Sequence, residues 1–241
     1  ETGNIFAAKI SFSFLDEESK EDILELTREV NIMSMVHHPS VVMFIGFNLH
    51  DFYNDPKPVI ITEYMKNGTL EEVINLERLS RSIWDDTKKL INIYGIAAAM
   101  AYLHSNHIIH RDLKPSNILI DEYLCPKISD FGLSKIKHQN SESLTMQSTA
   151  NVKGTPIYIS PEIYQNVEYN IESDVYAFAF IMYEIITNEQ PFAECKSVEE
   201  IKTKVINGIR PQFPYPISDA YQDLIERCWN QDPSKRPTFD E

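Results

Sequence analysis

The feature that most constrains this chain is the run His110-Arg111-Asp112-Leu113-Lys114-Pro115-Ser116-Asn117, together with two further motifs downstream of it. Asp130-Phe131-Gly132 begins 18 residues after Asp112, and Gly154-Thr155-Pro156-Ile157-Tyr158-Ile159-Ser160-Pro161-Glu162 comes later in the chain. Any one of these charged residues reads alone as a solvated loop charge. The four fixed positions of the first run would recur by chance in roughly one of 10³ chains of this length. As a set, these residues are poorly explained as unrelated solvated loop charges.

Composition narrows the choice of chemistry. The chain has 241 residues, 36 acidic and 22 basic, for a formal charge of −14. That balance excludes a general nucleic-acid binder, which collects cations against phosphates, and a polybasic membrane-surface protein. Apolar residues make up 43%, enough for a packed core. The longest apolar run, residues 175–186, is interrupted by Glu184 and falls short of the ~20 residues of a membrane span. It reads as a buried helix. Cys125, Cys195 and Cys228 are scattered, with no CxxC pair, and the chain opens without a charged and apolar leader pattern, which together lead to the expectation of reduced thiols in a cytoplasmic protein. The seven glycines are too far apart for GxGxxG or GxxxxGK.

Periodicity predicts a strand over 5–10, then a helix over 21–36 with Ile23, Leu26, Val30 and Met33 as its apolar stripe. Strands are expected at 41–47 and 59–62, ending at the turn signal Asn67-Gly68. A long helix over 85–104 places Leu90, Ile93, Ala97 and Ala101 on one face, and Gly95 with its alanine neighbours suggests close packing on several sides. Residues 118–120 and 127–128 flank a turn at Asp121-Glu122, as in a short hairpin. Residues 139–149 are a Ser/Thr-rich loop, and helices close the chain at 174–187, 198–207 and 218–230. The expected architecture is a small strand-rich part and a larger helical part, with a cleft between them as the ligand site. His104, His107 and His110 recur every three residues, but no cysteine or carboxylate completes a tetrahedral metal set.

The three polar segments resemble the catalytic domain of eukaryotic protein kinases: HRDLxxxN, DFG, and GTxxYxxPE with Ser160 in place of alanine. Phe6-Ala7-Ala8-Lys9 is loosely similar to the family's VAIK strand. The resemblance runs from Gly3 to the end of the chain. It implies an α+β, two-lobed kinase fold over residues 1–241, with a partial N-lobe at 1–65 and a C-lobe at 66–241. Lys114 and Thr155 match serine/threonine kinases. Thr62-Glu63-Tyr64-Met65, Cys228-Trp229 and Asp232-Pro233 with Arg236-Pro237 look tyrosine-kinase-like. That mixture resembles the tyrosine-kinase-like group, which implies transfer of the ATP γ-phosphoryl group to Ser and Thr hydroxyls of protein substrates in signalling.

The resemblance also implies roles. Asp112 would accept the hydroxyl proton, and Lys114 would face the transferred phosphoryl group. Asn117 and Asp130 would hold Mg²⁺ with hard oxygen ligands. Lys9 would hold the α- and β-phosphates, paired with Glu29 at the border of its helix stripe. Thr62, Glu63 and Met65 would form the gatekeeper and hinge, with Ala7 and Leu119 sandwiching the adenine ring. Met33, Phe44, His110 and Phe131 match the stacked regulatory spine, although four core residues would look the same. Asp174 would pin the catalytic loop, and Glu162 would pair with Arg236. Arg111 implies control by phosphate on Ser141, Ser143, Thr145, Ser148 or Thr149, placed there by an upstream kinase or by the chain itself.

The glycine-rich hairpin of the family is missing before Lys9, and the last helix is missing after Arg236-Pro237. The expectation is a fragment of a normal kinase, with a three-stranded N-lobe sheet whose residue 5–10 strand is an exposed edge. The alternative is a pseudokinase, a kinase-shaped binding module with weak or no catalysis.

Overall fold

The computed structural model describes residues 3, 5–11, 20–81, 84–136 and 155–241. Strands β1 (Phe6–Ile10), β2 (Phe44–Asn48) and β3 (Val59–Glu63) form an antiparallel sheet in the order β1-β3-β2. Its register places Ala7 opposite Thr62 and Lys9 opposite Ile60. The outer strand β1 is mostly exposed, as expected of an edge. Helix α1 (Lys20–Met35) lies between β1 and β2 in sequence. Met33 is buried, but Ile23 at the head of the expected stripe is exposed, and the helix buries Glu29, Ile32 and Met33 instead. The strand expected from residue 41 starts at 44: Val41 makes only an isolated bridge to Ile128.

Asp51 organises the connection between β2 and β3. Its Oδ1 accepts the backbone N–H groups of Tyr53 (2.8 Å) and Asp55 (3.0 Å), and Asn54 turns left-handed at φ 65°. Asp121 repeats this device between β5 (Ile118–Ile120) and β6 (Pro126–Ile128). It accepts from Tyr123 (2.8 Å) and Cys125 (2.9 Å) around Leu124 at φ 62°. A short carboxylate thus substitutes for backbone partners in each turn.

The C-lobe begins with α2 (Leu70–Arg78), a helix that hydrophobic periodicity did not delimit. A capping box starts it: Glu72 N–H donates to Thr69 Oγ1 (3.1 Å), and Thr69 N–H donates to Glu72 Oε2 (2.8 Å). Helix α3 (Asp86–Ser105) buries Ile93, Ile96, Ala99, Met100 and Leu103, whereas Leu90 is half exposed and Ala97 and Ala101 are intermediate. The expected face was rotated, because a helix with apolar residues on nearly every side does not fix its own orientation. Gly95 meets Pro126 so closely that an added Cβ would lie 2.7 Å from Cγ. At the centre, α5 (Ile171–Thr187) buries 14 of its 17 residues, each large apolar side chain contributing about 1.5–3 kcal/mol. Short strands β4 (Ile108–Ile109) and β7 (Lys135–Ile136) pair antiparallel, bracketing residues 110–134. Helices α4 (Pro161–Tyr164), α6 (Val198–Ile206) and α7 (Asp219–Cys228) complete the lobe.

Backbone bonds join the lobes. Val42 N–H donates to Ile128 O and Ile128 N–H to Ser40 O, both at 2.9 Å. After β3, Asn67 N–H donates to Ile120 O (3.1 Å), and Ile120 N–H donates to Gly68 O (2.8 Å). Among the described residues no helix is long and apolar enough to cross a membrane.

Candidate active site

The loop after β4 is fixed by one buried carboxylate. Asp174, 1% exposed on α5, accepts the backbone N–H of His110 at Oδ2 and of Arg111 at Oδ1, both at 2.9 Å. His104 Nε2 lies 2.9 Å from the same Oδ2. These bonds hold Arg111 at φ 71°, a left-handed conformation costly for a residue with a Cβ. Asp112 is the next residue. Its Oδ2 is 2.7 Å from Lys114 Nζ and accepts from Asn117 Nδ2 at 2.9 Å, and the same Nδ2 donates to the Asp112 carbonyl at 2.8 Å. A 3₁₀ turn over Pro115–Asn117 provides the return that makes this five-residue closure possible.

A second group assembles from three elements. Lys9 Nζ on β1 donates to both oxygens of Glu29 on α1 (2.8 and 3.0 Å) and to Asp130 Oδ1 (3.2 Å). Burial works to strip the proton from Lys9, but the Glu29 and Asp130 carboxylates outweigh it and raise its affinity for the proton. More than half of that side chain is nonetheless reached by solvent. Burial raises the Glu29 carboxyl, with Lys9 opposing. Burial pushes the Asp130 carboxyl up as well, but Lys9 overcomes this and holds it below the ordinary range. Asp130 itself is left-handed at φ 63°.

The two groups are stitched together through Ser129. Its N–H and its hydroxyl both donate to Asn117 O at 2.9 Å, and His110 Nε2 lies 3.1 Å from Ser129 O. Phe131 is fully buried, with its ring centroid 5.5 Å from that of His110. Met33 is buried in the same core, and Phe44 packs against it.

The remaining expected residues lie on β1, on β3 and just after it, and on β5. Ala7 and Thr62 face each other across β1 and β3, and Thr62 Oγ1 donates to Glu63 O (3.2 Å). The Glu63 carboxylate is held by Met43 N–H (2.8 Å) and Lys127 Nζ (3.0 Å). Met65 is buried, and Leu119 on β5 is half-buried. Gly154 and the five hydroxyl residues between 141 and 149 lie outside the described residues. Asp130 and Asn117 fit a magnesium ion by chemistry. Asp130 is held anionic, and Asn117 spends its amide N–H on Asp112 while keeping its carbonyl oxygen, so both supply hard oxygens.

At the far side of the lobe Arg236 meets Glu162 with two parallel bonds (2.7 and 2.8 Å), donates to Glu172 O (2.8 Å), and lies over the Tyr176 ring at 4.9 Å. Two residues that sequence reasoning missed stand nearby in function. Tyr169 supports the Arg111 guanidinium at 5.0 Å from its ring centroid, with no sequence signal pointing to it. Arg78 bonds Glu184 Oε2 at 2.9 Å, and there a signal existed: Glu184 is the one charge interrupting a buried apolar run.

The two-lobed fold thus joins a carboxylate–lysine–asparagine loop to a lysine–glutamate–aspartate cluster. The model of the family described as protein tyrosine and serine/threonine kinase matches residues 7–241. The chain belongs to that family. It is 35% identical over 217 residues to the dual specificity protein kinase shkC of Dictyostelium discoideum, covering 89% of this chain and 41% of that protein. It is 31% identical over 241 residues to the serine/threonine-protein kinase STY17 of Arabidopsis thaliana, covering 99% and 40%. Against R831 of Acanthamoeba polyphaga mimivirus, named as a serine/threonine-protein kinase/receptor, identity is 35% over 92% of this chain and 13% of the relative. The chain thus spans well under half the length of each of these relatives.

Proposed function

We propose that the chain transfers the γ-phosphoryl group of Mg·ATP to Ser and Thr hydroxyls of protein substrates. The carrying observation is the placement of Asp112, 2.7 Å from Lys114 and bonded to Asn117, on a loop tied through Ser129 to Asp130 and Lys9. Asp112 takes the proton as the substrate oxygen bonds to the γ-phosphorus, and the bond to the β-phosphate oxygen breaks to release ADP. Lys114 opposes the charge on the moving group. Lys9, oriented by Glu29, holds the α- and β-phosphates. Thr62, Glu63 and Met65, with Ala7 and Leu119, surround the adenine. Asp130 and Asn117 would hold Mg²⁺, which when bound would supply neutralisation of phosphate charge. Ser/Thr preference is favoured by Lys114, and the names of the relatives include both serine/threonine and dual-specificity enzymes. Free Cys125, Cys195 and Cys228 support a cytoplasmic setting.

Arg111 is the point of regulation. Among the described residues its buried Nε has no hydrogen-bond partner, and a phosphate on Thr145, Ser148 or Thr149, added by an upstream kinase or in cis, would supply one. The decisive experiment is transfer from labelled ATP to a generic Ser/Thr protein. Asp112→Asn should lower kcat about 10²–10⁴-fold without changing the melting temperature. Stabilisation by Mg·ATP without any transfer would favour the scaffold reading.

A further inference from the structure

Residues 155–160, just before α4, face the catalytic loop. Thr155, Tyr158 and Ser160 line one narrow cavity together with Arg111 and Asp112, so a protein segment presenting a hydroxyl to Asp112 passes beside this stretch. Its backbone does little to hold it there. A 3₁₀ turn over Pro156–Tyr158 closes on the bond from Tyr158 N–H to Thr155 O, 3.0 Å. That bond ties the turn to itself rather than to the lobe, and Pro156 has no N–H to contribute.

Side chains make the tie. The Tyr164 hydroxyl on α4 donates to Pro156 O at 2.8 Å, and the Tyr158 hydroxyl donates to Glu184 at the other end of the turn. Tyr164 has the support that a strut requires. Its ring packs against the core, and Ile163 beside it is buried. Glu162, on the same short helix, is locked by Arg236 with bonds of 2.7 and 2.8 Å. Burial pushes the Tyr164 phenol above its ordinary range, and Tyr176, Tyr169 and Glu199 add to the shift, so at neutral pH the group stays protonated and remains a donor. The line of support runs from Arg236 through Glu162 and α4 to Tyr164 and Pro156, and it ends at Thr155 beside Asp112.

We infer that Tyr164 is a positioning residue for the protein acceptor: its hydroxyl holds the 155–158 turn where an incoming hydroxyl-bearing segment must align with Asp112. This rests on the kinase reading and adds to it a residue two positions past Glu162, outside every motif that the sequence presents. Tyr164 acts through the Pro156 carbonyl. Loss of its hydroxyl removes that donor and frees the turn, while Lys9, Glu29 and Asp130, on other elements, keep their bonds to one another.

The test separates acceptor from nucleotide in steady-state kinetics with Mg·ATP and a Ser peptide. Tyr164→Phe deletes the hydroxyl and keeps the ring. It should raise KM for the peptide about three- to tenfold, the worth of one hydrogen bond, and leave KM for ATP unchanged. Tyr164→Leu should raise the peptide KM at least as much. An unchanged peptide KM in Tyr164→Phe overturns the inference whatever Tyr164→Leu does, because ring packing would then be the whole role. An equal rise in both KM values overturns it too, since that marks a general loosening of the site. Amide hydrogen exchange gives a second measurement that needs no activity. Residues 157–160 should exchange at least about threefold faster in Tyr164→Phe than in the intact chain, with α5 unchanged, and equal protection refutes the inference. If the intact chain phosphorylates no peptide, the kinase reading fails and the positioning role goes with it. If it does phosphorylate and the peptide KM is indifferent to the hydroxyl, only the inference about Tyr164 fails.

Discussion

Lys9–Glu29 in the N-lobe and Arg236–Glu162 in the C-lobe are both cation–carboxylate pairs, with closest approaches of 2.8 and 2.7 Å. Distance does not separate them; surroundings do. The Lys9 side chain is 58% exposed and shares its ammonium with a second carboxylate, Asp130. The Arg236 side chain is fully buried, with two bonds to Glu162, one each to the Glu172 and Asn230 carbonyls, and an aromatic face beneath it. A compact ammonium left partly in water can exchange a carboxylate for a phosphate. A planar guanidinium closed in on every side can only hold its place. The first pair is open to exchange and the second is closed.

The comparison is broken most directly at the closed pair. Arg236→Met leaves Glu162 uncompensated and should cost about 3–5 kcal/mol in urea denaturation. Gly95→Ala, at the equally tight contact with Pro126, should cost about 1–3 kcal/mol by overpacking, read the same way. Lys9→Met should cost no more than about 2 kcal/mol, because Glu29, already raised by burial, can take a proton instead. It should nevertheless abolish measurable stabilisation by Mg·ATP. An Lys9→Met protein as unstable as Arg236→Met would erase the distinction.

Acid sharpens it further. The folded Glu29 carboxyl is raised, so on acidification it protonates before an ordinary glutamate, and the charge of the Lys9 pair is lost above the usual range. Burial opposes ionisation of Glu162 too, but Arg236 outweighs it and lowers the carboxyl, so its stabilisation persists above the unfolded value and is lost only as pH falls through the lower folded one. Nucleotide binding should therefore fail at a higher pH than unfolding, in parallel titrations by thermal shift and circular dichroism. Coincident transitions would show that both pairs titrate alike.

Much of the site was legible because its residues are local in sequence or chemically irreplaceable. Asp112, Lys114 and Asn117 lie within one loop, and Glu29 declared a need for a partner by bordering an apolar stripe. Other features were not. The buried face of α3 was misplaced by a turn's fraction, since Ile93 fits either orientation and only the packing of Pro126 against Gly95 selects one. Helix α2 carried a capping signal in Thr69 and Glu72, yet its role depends on Arg78 reaching a helix 106 residues away.

The order of residues alone determined which groups exist and how far apart along the chain they stand, and that was sufficient to recognise the family, because carboxylate, amide and ammonium groups at those spacings have few chemical substitutes. Which carboxylates remain open to a ligand and which are already satisfied was decided only by tertiary structure. Glu29, Glu162 and Glu184 are the same residue type, each beside apolar neighbours. Whether the nearby cation is exposed, enclosed or supplied by the chain itself depends on long-range packing, and a charge's energy is set by its dielectric surroundings and partners rather than by its position in the sequence.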